Sequence, residues 1–245
     1  MHDAKASCSS HSELRRKLPG DSNMTADLPR RLFAELLGSC LLAATVIGSG
    51  ILAVQLSGGN DGVALLGNTL ATAAILYVLV STLGPVSGAH FNPAVTLVMA
   101  LRGDTRPADA AIYVPVQVLG CVLGAMLAHA MFGMPLLQES MSDRSGPGRL
   151  IGEGAATFAL VFAILGAIRH RPNDVPAIVA LVITAGYWWT SSTSFANPAI
   201  TIARAMTDSF AGIRPADAPG FIVAQFSGAI LAWLTGGWLF GRKTP

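Results

Sequence analysis

Charged residues are scarce in this chain. Asp, Glu, Lys and Arg supply 12% of its 245 residues, while 52% are hydrophobic. That charged share is about half of what a soluble globular domain carries. The formal net charge is only +2, which gives no reason to expect a nucleic-acid partner. Together with a mean hydropathy of +0.54, these values predict an integral membrane protein.

Cysteine is rare as well. The three cysteines, Cys8, Cys40 and Cys121, show no paired spacing, so neither a disulfide framework nor a zinc site is expected. The sequence also shows no metal-ligand set, nucleophile–base pair or phosphate-binding loop. We therefore expect no cofactor and no enzymatic activity.

Long apolar runs are abundant instead. A helix needs about 20 apolar residues to cross about 30 Å of hydrocarbon, and six stretches meet this requirement. Two shorter stretches, 92–102 and 197–207, each begin with Asn-Pro-Ala and predict half-helices of roughly 15 Å. Two such pieces placed end to end match one membrane thickness. The six long stretches are approximately 31–55, 63–83, 108–132, 150–168, 175–192 and 219–241.

The order of these segments repeats. Glu35 stands thirteen residues before Gly48, and Glu153 stands thirteen residues before Gly166. In the same way "NPAVTLVMA" matches "NPAITIARA", and "QVLGCVLG" matches "QFSGAILA". Because each half has three spanning helices, the halves enter the membrane from opposite sides and form an inverted repeat. The predicted fold is an all-α membrane protein with six transmembrane helices plus two re-entrant half-helices.

The basic residues predict the orientation. With the amino terminus inside, twelve of the sixteen Lys and Arg residues fall in cytoplasmic segments, as the positive-inside rule requires. The polar residues 1–29 predict a disordered cytoplasmic tail. Residues 30–245 predict a single membrane domain, with the first repeat at about 30–132 and the second at about 148–241.

The two Asn-Pro-Ala motifs explain how a helix can restart inside the membrane. Asn is a favoured N-cap, Pro suits the first helical position, and Ala is small enough for two caps to touch. The capping oxygen leaves each amide NH₂ free at mid-membrane, beside the carbonyls of the extended residues "SGAH" and "STSFA". A file of acceptors that ends at two donors predicts a pore for polar molecules. The motif residues are Asn92, Pro93 and Ala94, and Asn197, Pro198 and Ala199.

Five polar side chains near these motifs need a role. A charge within a membrane helix costs about 2.5–3.5 kcal/mol, so Glu35 and Glu153 are each expected to have a specific role. We expect each to accept hydrogen bonds from the re-entrant loop of its own half, with a proton path as the alternative. Gln117 and Gln225 are expected to bond between helices. His90 is expected to anchor the first loop, although it could titrate near neutral pH.

At the motif "SGAHFNPAVT" the chain resembles the aquaporin, or major intrinsic protein, family. The resemblance covers about residues 30–241. It implies the hourglass fold, a homotetramer with one pore per subunit, and passive conduction, and it gives the equivalent glutamates a supporting role. We accordingly expect a multi-pass protein of the inner (plasma) membrane with both termini in the cytoplasm.

The outer constriction departs from the family pattern. In most members an Arg directly follows the second Asn-Pro-Ala motif, and glycerol-conducting bacterial members usually carry Arg-Asp, but here the two residues are Ile200 and Thr201. By their spacing to the motifs, four positions are expected to form the selectivity filter. None is aromatic, His or Arg, so a wide, uncharged and modestly polar constriction is predicted. The four are Thr72, Ala185 (with Gly186 as its alternative), Ser194 and Ile200.

Arg204 stands four residues after Ile200, on the same helix face and about 6 Å further out. We expect its guanidinium in the outer vestibule or at the membrane interface rather than in the constriction. Selectivity against cations should then be reduced but not abolished.

The expected function is passive permeation of small neutral solutes. Filters without the arginine are similar to those of the bacterial branch associated with arsenic resistance. Metalloid hydroxides such as arsenite, and methylated arsenicals, are therefore leading candidates, with glycerol, urea and water also possible. The alternatives are a proton-coupled secondary transporter, which can also be built from inverted repeats, and a closed membrane scaffold.

Overall fold

The computed structural model describes residues 26–241, which form eight α-helices and a short 3₁₀ turn at Pro172–Asp174. Most of the tail predicted for residues 1–29 lies outside the described residues. The helices are α1 (Leu28–Leu56), α2 (Asp61–Ser87), α3 (Pro93–Leu101), α4 (Pro107–Met131), α5 (Pro147–His170), α6 (Val175–Trp189), α7 (Pro198–Arg204) and α8 (Ala218–Leu239).

The predicted fold class is confirmed, with six long helices and the two half-length helices α3 and α7 in the expected order. Five of the described helices are long and apolar enough to cross a membrane by length and composition. The sixth, α6, has 15 residues and ends before the predicted residue 192. It ends there because Thr190 adopts an extended backbone, and its hydroxyl donates to the Gly186 carbonyl at 2.7 Å.

Local sequence explains where several helices begin and end. The Asn60 side chain accepts from the Val63 amide at 3.1 Å and caps α2, as Asn does at many helix starts. At the other end of α2, Gly88 has a φ of 90°, a left-handed conformation that glycine adopts at low cost. This glycine turns the chain from α2 into the first re-entrant loop.

Small residues bring one pair of helices in each half into close contact, and the two pairs are equivalent. α1 packs along α4, and α5 packs along α8. A Cβ atom built on Gly124 would lie 2.2 Å from the Cys40 carbonyl oxygen, and one on Gly228 would lie 2.2 Å from the Gly154 oxygen. Such backbone contact is typical of membrane helices that cross at small residues. α2 contacts α6 and joins the halves at the centre.

Large apolar side chains cover much of the outer surface. Leu70, Tyr77, Leu181 and Trp238 are each more than half exposed. Exposure of this kind is unfavourable in water and favourable against lipid chains. The polar groups that the fold buries therefore lie inside the helix bundle, around the two half-helices.

Candidate functional site: the central cavity

A cavity of about 510 Å³ lies between the half-helices and the long helices. Its lining residues recur at every fourth position of α6, which keeps one face of that helix toward the cavity. At about 1.5 Å per residue, the wall that α6 supplies is roughly 18 Å long. The α6 residues at this spacing are Val175, Val179, Ile183 and Tyr187, and Pro176 also lines the cavity at the start of the helix.

The two half-helices meet head to head at this cavity. Asn92 and Asn197 line it, and each side-chain oxygen accepts from the first amides of its own half-helix. The Asn92 amide donates to the Ala196 carbonyl at 2.7 Å, and the Asn197 amide donates to the Phe91 carbonyl at 2.8 Å. An amide NH₂ has two hydrogens, so each asparagine keeps a second donor for the cavity.

The residues before each asparagine adopt the left-handed backbone conformation at equivalent places. Each non-glycine residue in this conformation costs of order 1–3 kcal/mol and persists only where its surroundings fix it. This backbone conformation changes the direction of successive peptide groups, so their carbonyls do not form the hydrogen bonds of a helix. In the first loop these residues are Gly88, Ala89 and Phe91, and in the second they are Thr193, Ser194 and Ala196.

Glu35 fixes the first loop. Its carboxylate is fully buried and accepts from the Ser87 hydroxyl at 2.7 Å, the His90 amide at 3.0 Å and the Phe91 amide at 2.8 Å. The Gln117 side chain donates to it at 2.8 Å. These four donors satisfy both carboxylate oxygens, so the buried negative charge is stabilised by the loop and by Gln117.

Glu153 fixes the second loop in the same way. It is fully buried and accepts from the Phe195 amide at 2.8 Å and the Ala196 amide at 2.9 Å. Gln225 donates to it at 2.6 Å and to the Thr201 hydroxyl at 2.9 Å. Neither glutamate lines the cavity, so neither carboxylate lies on the path that a solute would follow.

His90 does line the cavity. Its ring Nδ1 lies 3.1 Å from the Thr96 hydroxyl, and its ring meets that of Tyr113 edge to face at 5.5 Å. Thr96 also accepts from Gln117 at 2.9 Å. The structure thus places His90 both against its own half-helix and on the cavity wall.

The four residues assigned to the outer constriction separate in the structure. Thr72, Ser194 and Ile200 are buried and line the cavity, but Ala185 is exposed and does not line it. Its alternative, Gly186, is buried but does not line the cavity either. Residues two positions apart on a helix point in nearly opposite directions. Ala185 therefore lies on the outer face of α6, because the residue two positions later lies on the inner face. That residue is Tyr187, whose hydroxyl lies 3.2 Å from the Thr72 hydroxyl. A tyrosine ring therefore faces the cavity where a small side chain was predicted.

Arg204 also faces the cavity, at the same end as Tyr187. It is only 2% exposed, its Nε donates to the Ala211 carbonyl, and its Cζ lies 3.4 Å from the centre of the Phe195 ring. Such stacking of a guanidinium on an aromatic face is attractive. This end of the cavity thus carries a cation and an aromatic ring. Arg204 was expected in the outer vestibule or at the membrane interface, and the structure puts it on the cavity wall. The assignment of the narrowest point to Thr72, Ser194 and Ile200 stays a prediction.

Sequence reasoning missed Tyr187, although the spacing of Val175, Val179 and Ile183 would have indicated its face of α6. Among the described residues, no group of three or more His, Cys, Asp or Glu side chains is placed to hold a metal ion. What the cavity offers is a polar line of amides, hydroxyls and loop carbonyls opposite an apolar wall. This arrangement suits the passage of polar solutes.

Comparisons with known proteins agree with this geometry. The profile of the Major intrinsic protein family matches residues 22–188. Over 219 residues the chain is 52% identical to "Aquaglyceroporin AqpS" of Rhizobium meliloti, covering 89% of this chain and 94% of that protein. It is 29% identical over 243 residues to "Probable aquaporin AqpM" of Archaeoglobus fulgidus, covering 86% of this chain and 97% of that protein.

Among solved structures, the aquaglyceroporin from Plasmodium falciparum superposes with a TM-score of 0.64 at 20% identity. The match covers 88% of this chain and 98% of that chain, which shows a shared fold. The sequence matches go further, because they span more than half of the chain and one reaches 52% identity. The chain therefore belongs to the major intrinsic protein family and is an aquaglyceroporin-like membrane channel.

Proposed function

We propose that the chain conducts small neutral polar solutes larger than water, passively and through the central cavity. The observation that carries this proposal is the reciprocal bonding across the half-helix junction, where Asn92 and Asn197 each donate to a loop carbonyl of the other half and both line the cavity. Their free N–H groups and the loop carbonyls replace part of a solute's hydration, while the opposite apolar wall limits binding strength. A solute with several hydroxyls can exchange these partners in sequence.

We further propose metalloid hydroxides, such as arsenite, as leading solutes, with methylated arsenicals, glycerol and water as others. The residue directly after the second motif is Ile200, which is buried, uncharged and on the cavity wall. Together with the hydroxyls of Thr72 and Ser194, it presents a weakly polar surface to an uncharged polyhydroxy solute, beside the cation of Arg204. The similarity to a protein named as an aquaglyceroporin supports this solute class.

The channel is proposed to be a homotetramer in the inner membrane with cytoplasmic termini. Within the described range, basic residues gather at the helix ends that this orientation places inside, in line with the positive-inside rule. These residues are Arg30, Arg31, Arg102, Arg106, Arg169 and Arg171. A proton-coupled transporter is not supported, because the carboxylates of Glu35 and Glu153 accept hydrogen bonds from loop amides and do not line the cavity.

The test compares fluxes of water, glycerol and arsenous acid into vesicles that contain the purified chain, by stopped-flow light scattering. Wild-type vesicles should take up all three faster than empty vesicles, and a protonophore should not change the rates. Uptake equal to that of empty vesicles would overturn the channel proposal. Uptake that the protonophore abolishes would favour a coupled transporter instead.

Ile200→Arg tests the constriction, with Ile200→Leu as a control of similar volume at the same position. The arginine should reduce glycerol and arsenous acid flux more than water flux and should lower any proton leak, whereas the leucine should change little. Unchanged fluxes and leak in Ile200→Arg would show that Ile200 does not line the narrowest point.

A further inference from the structure

Two arginines near the outer end of the cavity lack a carboxylate partner. Arg204 is 2% exposed, and Arg144 lies in the segment between α4 and α5. Neither forms an ion pair with any acidic residue in the range 26–241, although neighbouring Arg149 and Arg214 do. Both unpaired arginines contact the same ring, with Cζ atoms 3.4 Å (Arg204) and 4.9 Å (Arg144) from the centre of Phe195.

The guanidinium of Arg144 is hydrogen-bonded to the outer loops. It donates to the carbonyls of Gly212 at 2.7 Å, Ser192 at 3.3 Å and Phe210 at 3.3 Å. Burial lowers the pKa of Arg144 to about 10, so it still carries its charge at neutral pH. It does not line the cavity and acts there only through its positive field.

Arg204 has donors to spare. A guanidinium has five N–H groups, and the described residues accept from Arg204 only at the Ala211 carbonyl, through Nε. Its terminal nitrogens are therefore left to the cavity that Arg204 lines. A buried cation without a counter-charge is unfavourable, and an anion that enters the cavity removes that penalty.

The surroundings of Arg204 suit an anion. Among the residues that the structure describes, no Asp or Glu lines the cavity, while the hydroxyls of Thr72, Tyr187 and Ser194 line its outer end. A planar carboxylate can accept two parallel hydrogen bonds from one guanidinium. Further in, the wall carries Ile200 and the uncharged amides of Asn92 and Asn197, and no other Lys or Arg of the described chain lines it. An anion held at Arg204 therefore has no second fixed charge to move to.

Building on the proposed channel function, we propose that the outer end of the cavity binds a small monovalent carboxylate-like anion through Arg204. The bound anion occupies the solute path and slows the flux of neutral solutes without crossing the membrane itself. Arg204 thus sets the sensitivity of the channel to small anions.

The experiment measures glycerol influx in sodium formate and in sodium gluconate at equal ionic strength, with neutral formamide as a second control. Formate should reduce the wild-type rate to about half when its concentration equals its dissociation constant. Gluconate, which is a much larger carboxylate than formate, and formamide, which is uncharged, should leave the rate unchanged. Arg204→Gln should abolish the effect of formate.

Arg214→Gln is the matched control. It removes the same charge, but Arg214 is 40% exposed and paired with Asp217 at 3.1 Å. The proposal requires that Arg214→Gln keep the full formate effect. Equal relief of inhibition in Arg204→Gln and Arg214→Gln would overturn it, since a general surface potential would then explain the result.

Direct binding separates this proposal from the channel proposal. Line broadening of ¹³C-formate by the purified protein does not depend on flux, and it should be present in wild type, weaker in Arg204→Lys and absent in Arg204→Gln. Binding without glycerol flux would keep the anion site and overturn the channel proposal. Glycerol flux without broadening or inhibition by formate would overturn the anion site alone.

Discussion

Replacing Glu153 by Gln should loosen the second re-entrant loop. The change keeps the shape of the side chain but turns one acceptor oxygen into a donor NH₂. Glu153 receives three hydrogen bonds, at 2.8, 2.9 and 2.6 Å. At least one buried donor would lose its partner, and the remaining bonds would lose their charge assistance.

The magnitude follows from these contacts. A hydrogen bond to a charged group contributes about 1.5–3 kcal/mol, and a buried donor left unpaired costs about 1–3 kcal/mol. We therefore expect Glu153→Gln to lower the free energy of unfolding by roughly 2–5 kcal/mol. Because Ser194 and Ala196 hold left-handed conformations with φ of 52° and 47°, the loop should relax and glycerol flux should fall.

Glu139→Gln provides the matched control, because Glu139 is exposed and undergoes the same chemical change. Unfolding is followed by circular dichroism during titration with SDS in mixed micelles, and flux is measured in vesicles. If Glu153→Gln stays within about 0.5 kcal/mol of Glu139→Gln, as surface substitutions usually do, the loop-support reasoning is refuted.

Three further changes have defined outcomes under the same unfolding titration. Gly228→Ala should lower the free energy of unfolding by about 1–3 kcal/mol through overpacking, since the new Cβ would lie 2.2 Å from a backbone oxygen. Gly154→Ala is the control and should be neutral or stabilising, because its nearest neighbour would lie at 3.5 Å. The reverse order of stabilities would contradict the helix contact. Asp109→Asn should lower the free energy of unfolding by about 3–5 kcal/mol, because it leaves the buried guanidinium of Arg31, 2.9 Å away, without its counter-charge. A change no larger than that of an exposed Asp→Asn would show that this ion pair does not stabilise the fold. Tyr187→Phe should lower the free energy of unfolding by about 0.5–1.5 kcal/mol, because it removes one hydrogen bond. It should keep the ratio of glycerol to water flux, because the ring remains. A large change in that ratio would show that the hydroxyl selects the solute.

Much of the fold could be predicted because each feature has a local cause. Helix number follows from the length of apolar runs, and the restart of a helix in mid-membrane follows from the capping chemistry of Asn92 and Asn197. The predicted bonding of Glu35 and Glu153 followed from their equal placement in two halves. The structure gives each carboxylate contacts with the loop amides of its own half.

The outer end of the cavity was harder to predict because irregular backbone separates its parts. Counting back from Asn197 gave Ala185, but the loop between Trp189 and Asn197 contains left-handed residues, so distance along the chain does not fix which face of α6 turns inward. Likewise, Arg204 is buried because the segment at Ala211 folds back over it. No periodicity in the sequence indicates that contact.

The reciprocal asparagine bonds have a consequence for biogenesis. The Asn92 amide and its acceptor at Ala196 are 104 residues apart, so the first re-entrant segment is synthesised long before its partner exists. Until the ribosome has delivered the second segment, the first lacks this contact and depends on its own half, chiefly on Glu35. The two halves therefore complete one another late, and a nascent chain arrested between them has no finished conduit.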